Sequence, residues 1–211
     1  MKPLTGNLMG IAILLLGAMT AMATDEAKYT LVEKSGDFEI RDYERQILVE
    51  TIVDSSLEEA GNVAFGRLFR YISGDNLSSN TIAMTAPVSQ EARGEKIAMT
   101  APVGQQKAKT GWAVSFMMPS NYTLKTLPAP TDPTLTVREI PARRMAAVRY
   151  SGTWSQAGYL SNKERLESWL RGKGLTTTGD PVWARYNPPF TLWFLRRNEV
   201  LIPIGKQAGE N

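Results

Sequence analysis

A seven-residue string, Ile82-Ala83-Met84-Thr85-Ala86-Pro87-Val88, recurs letter for letter as Ile97-Ala98-Met99-Thr100-Ala101-Pro102-Val103. Ile, Met, Ala and Val take alternate places in each copy, which puts them on one face of an extended strand. Pro87 and Pro102 lack the N–H that a central ladder needs, so each strand is expected to end, bulge or lie at a sheet edge there. The polar connector Ser89 to Lys96, with Gly94 near its end, suits a hairpin between the copies. The two Met side chains belong either to the core of that hairpin or to the soft lining of a ligand cleft.

What the chain lacks narrows its chemistry. It contains no cysteine and no histidine. Disulfides, Cys/His zinc sites, thiol nucleophiles, Ser-His-Asp triads and histidine ligation of haem iron are therefore excluded. Its 211 residues, 43% hydrophobic and 21% charged, are enough for one domain with a sizeable core. The first residues read as an export signal: Lys2 gives the positive start, Leu8 to Met19 the apolar stretch, and Ala21-Met22-Ala23 a small-x-small cleavage site before Thr24. Residues 1–23 are thus expected to be a signal peptide and 24–211 a single domain, exported to the periplasm or beyond as a monomer with no membrane span after cleavage. One of the 24 basic residues, Lys2, lies in that segment, which leaves a near balance with 21 acidic ones; no long basic run points to nucleic acid.

Along the mature chain, Tyr29 to Val53 reads as two strands around the turn Lys34-Ser35-Gly36-Asp37. Ser55-Ser56-Leu57-Glu58-Glu59 offers overlapping capping boxes for a helix, in which a Ser hydroxyl accepts from an orphan backbone N–H. Leu57, Ala60, Ala64, Leu68 and Tyr71 keep helical spacing, Phe65, Phe69 and Ile72 widen the stripe, and Gly74 ends it. Trp112 to Met118 alternates again and stops at Pro119. The stiff segment Leu127 to Pro133, with three prolines, is the expected joint between two halves, about 28–126 and 134–205. The second half repeats the plan: strands at Leu135–Glu139 and Met145–Tyr150, a helix over Ser155–Arg171, then strands at Trp183–Tyr186 and Val200–Ile204. Strand-strand-helix-strand-strand, twice, predicts an α+β domain with pseudo-twofold symmetry and one curved antiparallel sheet carrying two helices.

Several stretches together resemble the SOUL family of haem-binding-protein relatives: Phe38-Glu39-Ile40-Arg41-Asp42-Tyr43, Ala64 through Asn76, both Met-Thr-Ala-Pro-Val copies, Arg149 through Thr153, and Arg185-Tyr186-Asn187-Pro188-Pro189-Phe190 through Arg196-Arg197-Asn198-Glu199-Val200. The resemblance implies a distorted antiparallel β-barrel with two helices that binds haem or another porphyrin non-covalently in a cleft along the first helix. The positions it implies for that site are Asn62, Phe65, Phe69 and Arg70 on the helix and Thr191 in the loop after Pro188-Pro189. Phe65 and Phe69 stand where the family has flexible Met residues, Asn62 is not cationic, and Thr191 stands where a lysine is common, so the match predicts fewer partners for the propionates.

The residues themselves add to this. Phe65 and Phe69, one turn apart, can wall a slot that holds a flat apolar ligand without an iron–protein bond, or can be plain core. Arg70 could pair with ligand carboxylates, while Arg67 is expected on a solvated face. Met84, Met99, Met117, Met118 and Tyr71 are what remains for iron coordination. The same element order also resembles gyrase-inhibitor-like small-molecule modules, some of them hydrolases. There Asp42 or Glu139 would act as a cleft base, against the plainer reading of each as the ion-pair partner of Arg41 or Arg138. Arg196-Arg197-Asn198-Glu199 is expected to fix the turn before the last strand.

Overall fold

The computed structural model describes residues 25–78 and 94–205. The expected export signal, the first copy of the repeat with Met84, and most of the hairpin connector lie outside these residues. Among the described residues the strands and helices follow in the order β1 Asp25–Glu26, β2 Tyr29–Ser35, β3 Phe38–Tyr43, β4 Gln46–Val53, α1 Leu57–Ile72, β5 Asn76–Leu77, β6 Thr100–Ala101, β7 Val103–Lys107 and β8 Trp112–Met117. Then come β9 Ala129–Pro130, β10 Thr136–Ile140, β11 Arg143–Tyr150, α2 Gln156–Gly172, β12 Val182–Arg185, a 3-10 turn at Trp193–Leu195, and β13 Asn198–Pro203.

Nine strands form one antiparallel sheet in the order β10-β4-β8-β7-β12-β13-β11-β3-β2. Its logic is an exchange between halves. β3 of the first half pairs with β11 of the second as well as with its neighbour β2, and β10 opens the second half but pairs with β4 of the first. The two halves meet at β7 and β12 in the middle. The α+β class, the two helices and the repeated strand-strand-helix-strand-strand plan are therefore as the sequence predicts, in a sheet that curls into a half-barrel.

Both helices pack on one face, and the period-2 alternation of the strands decides which side chains meet them. Ile47, Val49 and Val53 of β4 with Val114 and Phe116 of β8 face Ala60, Ala64, Leu68 and Tyr71 of α1. Ala146 and Val148 of β11 with Val200 and Ile202 of β13 face Tyr159, Leu166 and Leu170 of α2. Local chemistry sets the helix starts: the Ser56 hydroxyl accepts from Glu59 N–H at 3.2 Å, and the Ser155 hydroxyl from Gly158 N–H at 3.2 Å.

Two expectations need correction. Tyr29 to Val53 holds three strands, because the chain breaks again at Glu44-Arg45 and crosses from β3 at one end of the sheet to β4 at the other. No glycine or proline marks that break, so propensity is silent there. The second repeat copy is not one hairpin strand either. Ile97 and Ala101 are buried as alternation requires, but Thr100 is buried too and its hydroxyl donates to the Met117 carbonyl. Only Thr100–Ala101 pairs, in parallel with β1; the pairing stops at the cis Ala101–Pro102 bond, and β7 begins at Val103.

The β7–β8 reversal depends on Gly111. Its φ is +62°, and a Cβ there would lie 2.0 Å from the Val53 carbonyl oxygen and 2.6 Å from Asp54 Cα. Gly111→Ala therefore adds left-handed strain to a backbone clash, and a destabilisation of about 2–4 kcal/mol is expected in urea unfolding. A change below about 1 kcal/mol would show that the turn can relocate.

Candidate functional site

Asn62, Phe65, Gly66, Phe69 and Arg70 recur at helical spacing and share the exposed face of α1, with Phe65 at its margin towards the sheet. The rings are not core. Phe65 is 38% exposed and Phe69 49% exposed, although both extend the apolar stripe on paper. They stack nearly parallel, with centroids 5.8 Å apart at 12°. Phe65 also meets the buried Phe116 ring edge-on at 5.4 Å, which anchors the pair to the core. Beside them Gly66 leaves a gap: a Cβ there would touch nothing within 4 Å. Asn62 and Arg70 are exposed at the two ends of this face. Arg67 does not belong to it, and it is not simply solvated. It is half-buried and donates to the Thr51 hydroxyl at 3.2 Å.

Thr191 lies in the loop after β12, and a chain of packed groups leads from α1 towards that loop. Gly61 of α1 has no side chain because the Arg185 guanidinium occupies the space: a Cβ would lie 2.6 Å from Nη2. Arg185 is buried, donates to the Gln105 side chain, and lies 5.2 Å from the Trp154 ring centre. Burial pushes its pKa down to about 10. Arg196 sits 4.4 Å from the same Trp154 ring and donates to the carbonyls of Thr191 at 2.8 Å and Pro189 at 2.7 Å. This ties the loop from Pro188 to Leu195 to Trp154 and, through Arg185, to the packing at Gly61. Five large apolar side chains of the loop, Phe190, Leu192, Trp193, Phe194 and Leu195, are exposed, Phe190 to 86%.

Arg196-Arg197-Asn198-Glu199 does more than fix a turn. The side chains alternate across the sheet. Asn198 accepts from Trp154 Nε1 at 3.0 Å and donates to the Gly152 carbonyl on the helix side. Glu199, fully buried on the other side, accepts from Arg41 at 2.6 and 3.0 Å, Arg197 at 3.0 Å and the Tyr186 hydroxyl at 2.8 Å. Burial alone would raise the Glu199 carboxyl; the hydrogen bonds and charge of Arg41, with Arg197 behind it, more than offset that and hold it below the usual carboxylate range.

The two proposed cleft bases are both ion-paired. Asp42 pairs with Arg144 through two 2.8 Å bonds and Glu139 with Arg45 at 2.8 Å. Neither uses its chain neighbour Arg41 or Arg138, since adjacent strand residues point to opposite faces. Of the candidate iron ligands, Met118 is buried in the core, Met99 packs against it, and the Tyr71 hydroxyl is used in donating to the Pro128 carbonyl at 2.7 Å.

On the helix-free face, small residues leave a hollow. Gly104 of β7 with Ala113 and Ser115 of β8 floor a cavity of about 190 Å³, which Leu48, Met117, Ile140 and Met145 also line. Met117 thus faces a cavity remote from α1. One cavity reaching β3, β4, β7, β8 and β10 to β13 is possible because the sheet curls over this face.

The model of the SOUL heme-binding protein family matches residues 24–203. The chain belongs to the SOUL family. Similar relatives include Heme-binding protein 1 of Xenopus tropicalis, 28% identical over 178 residues and covering 79% of this chain and 87% of that protein. Heme-binding protein 1 of Mus musculus is 27% identical over 150 residues, covering 71% and 74%. Among solved structures, the EcmrR C-terminal domain aligns at TM-score 0.50 with 13% identity, over 85% of this chain and 99% of that one. A hydrolase from Listeria innocua aligns at 0.52 with 10% identity, over 82% and 94%. EcmrR in its DNA complex aligns at 0.56 with 12% identity; the match spans 81% of this chain and 57% of EcmrR. At these identities the structural likeness speaks for the fold alone. Within the SOUL frame, sequence reasoning missed the loop's apolar tip and the inner cavity. The tip was signalled by five large apolar residues in six positions outside any periodic pattern, the cavity only by small residues on alternate places of β7 and β8.

Proposed function

We propose that this SOUL protein binds haem or a related tetrapyrrole non-covalently on the outer face of α1, without histidine ligation and as a binder rather than a catalyst. The observation that carries this reading is the stacked, half-exposed Phe65–Phe69 pair beside the open space at Gly66. A flat macrocycle laid there removes apolar ring surface from water at roughly 25 cal/mol per Å². Family membership and relatives named for haem binding support the ligand class.

The residues present fit such a group. Phe65, braced by Phe116, and Phe69 would hold one face of it, and Gly66 lets it approach the helix closely. Arg70 would pair with a propionate, and the apolar loop rooted by Arg196 would exclude water from the exposed side. The bound group would supply the iron chemistry, while the chain holds, orients and shields it. The inner cavity does not compete for this role, since about 190 Å³ is below the roughly 300–1,000 Å³ that drug-sized ligands occupy. Asp42 and Glu139, the bases named for the hydrolase alternative, are each ion-paired, which favours binding over catalysis.

Titration of the purified protein with hemin is expected to give a saturable Soret shift and a spectrum unlike that of six-coordinate bis-histidine haem. A linear, unsaturating absorbance change would count against the reading.

A further inference from the structure

The inner cavity carries a charge that the protein does not balance. Three ionised side chains line it: Arg138, Glu50 and Arg143. Arg138 and Glu50 pair with each other at 2.9 Å. Arg143 is half-buried, and its side chain forms no ion pair or hydrogen bond among the described residues. It stands opposite Tyr43 in the β11–β3 ladder, and that hydroxyl already accepts from Arg41 at 2.9 Å. Burial, and then the neighbouring positive charge of Arg138, act against the protonated form of Arg143, with Tyr43 acting the other way; the negative charge of an incoming anion would favour the protonated form. The rest of the wall mixes the apolar Leu48, Met117, Ile140, Met145, Val182 and Leu201 with the polar Gln46, Gln105, Gln106 and Ser115.

A hollow whose apolar and polar walls meet at one guanidinium without a counter-ion is complementary to an amphipathic acid. The volume sets the size: about 190 Å³ holds roughly ten non-hydrogen atoms at interior packing density. We propose that the helix-free face of the sheet holds a second binding site, for a small monocarboxylate with an apolar body, such as a medium-chain fatty acid or a simple aromatic acid. Arg143 takes the carboxylate, and Leu48, Met117, Ile140 and Met145 enclose the rest. The site is independent of the tetrapyrrole face on α1, which lies across the sheet, so the two assignments stand or fall separately.

The test uses the whole protein carrying 13C-methyl methionine, because Met117 and Met145 both face the cavity. Octanoate and benzoate are titrated while the methyl resonances are followed, with 1-octanol as the uncharged control. At least one of the acids is expected to shift the Met117 and Met145 methyl signals saturably. 1-Octanol should bind at least about tenfold more weakly than octanoate, and Arg143→Gln should weaken the acid by a similar factor. Ala113→Phe, which fills the floor, should abolish the shifts while the circular dichroism spectrum is retained. Saturable shifts from neither acid would overturn the proposal. So would equal binding of octanoate and 1-octanol by the unaltered protein, a comparison that does not depend on any variant folding.

Discussion

Glu199→Ala is expected to remove about 3–5 kcal/mol of stability. The Glu199 carboxylate is fully buried and receives four hydrogen bonds from Arg41, Arg197 and Tyr186. Truncation leaves the Arg41 guanidinium, itself buried, with Glu39 at 2.7 Å as its one remaining carboxylate beside the Tyr43 hydroxyl at 2.9 Å, and removes one of the two carboxylates on Arg197, leaving Glu26 at 2.9 Å. A buried charge that loses its partner keeps its desolvation cost, and this makes the loss larger than the net worth of the pair. Against a typical total of about 5–15 kcal/mol, the melting temperature should fall on the order of 10 °C. Glu199→Gln, which keeps the shape and an acceptor but not the charge, should fall between the two. If both variants melt within a few degrees of the parent, the network is not a major stabiliser.

The same carboxylate sets an acid limit. Its folded-state pKa lies below its ordinary 4.5, so its contribution is complete above about pH 4.5 and is lost as pH falls through the folded value. Stability measured downward from pH 5 should therefore drop more steeply in the parent than in Glu199→Gln. Parallel curves would assign the acid transition to other carboxylates.

Phe69→Asp is expected to weaken hemin binding by at least about tenfold and to leave the fold intact. The ring is half-exposed and packs mainly on Phe65, so an aspartate there costs little core packing. For the ligand it removes an aromatic contact worth about 1.5–3 kcal/mol of apolar burial and sets a negative charge beside a dianionic guest. Unchanged affinity with unchanged melting would move the site off this face.

The sheet plan was legible because alternation, proline stops and the Ser56 and Ser155 caps agree locally with the fold. The strand exchange was not, since nothing in Phe38–Tyr43 or Thr136–Ile140 says which half a strand will pair with; partner choice is decided by the long-range ladder. On α1, Leu57, Ala60, Ala64, Leu68 and Tyr71 were readable as core by spacing, but Phe65 and Phe69 continue the same stripe and turn out at its wet edge. A stripe wider than the sheet can cover leaves its margin exposed, and sequence alone cannot locate that margin. Glu199 reads as a surface charge in a run of charges and is the most deeply buried carboxylate among the described residues, because its partner Arg41 comes from a strand 158 residues earlier.

The central claim is that a flat ligand lies on the gap at Gly66, and the most direct measurement is a parallel hemin titration of the parent and Gly66→Leu. A Cβ there meets nothing within 4 Å, and exchanging a mid-helix glycine for leucine should stabilise α1 by about 0.5–1 kcal/mol. The predicted result is a variant that melts no lower than the parent but binds hemin at least about tenfold more weakly. A variant equally stable and equally avid for hemin would contradict the account.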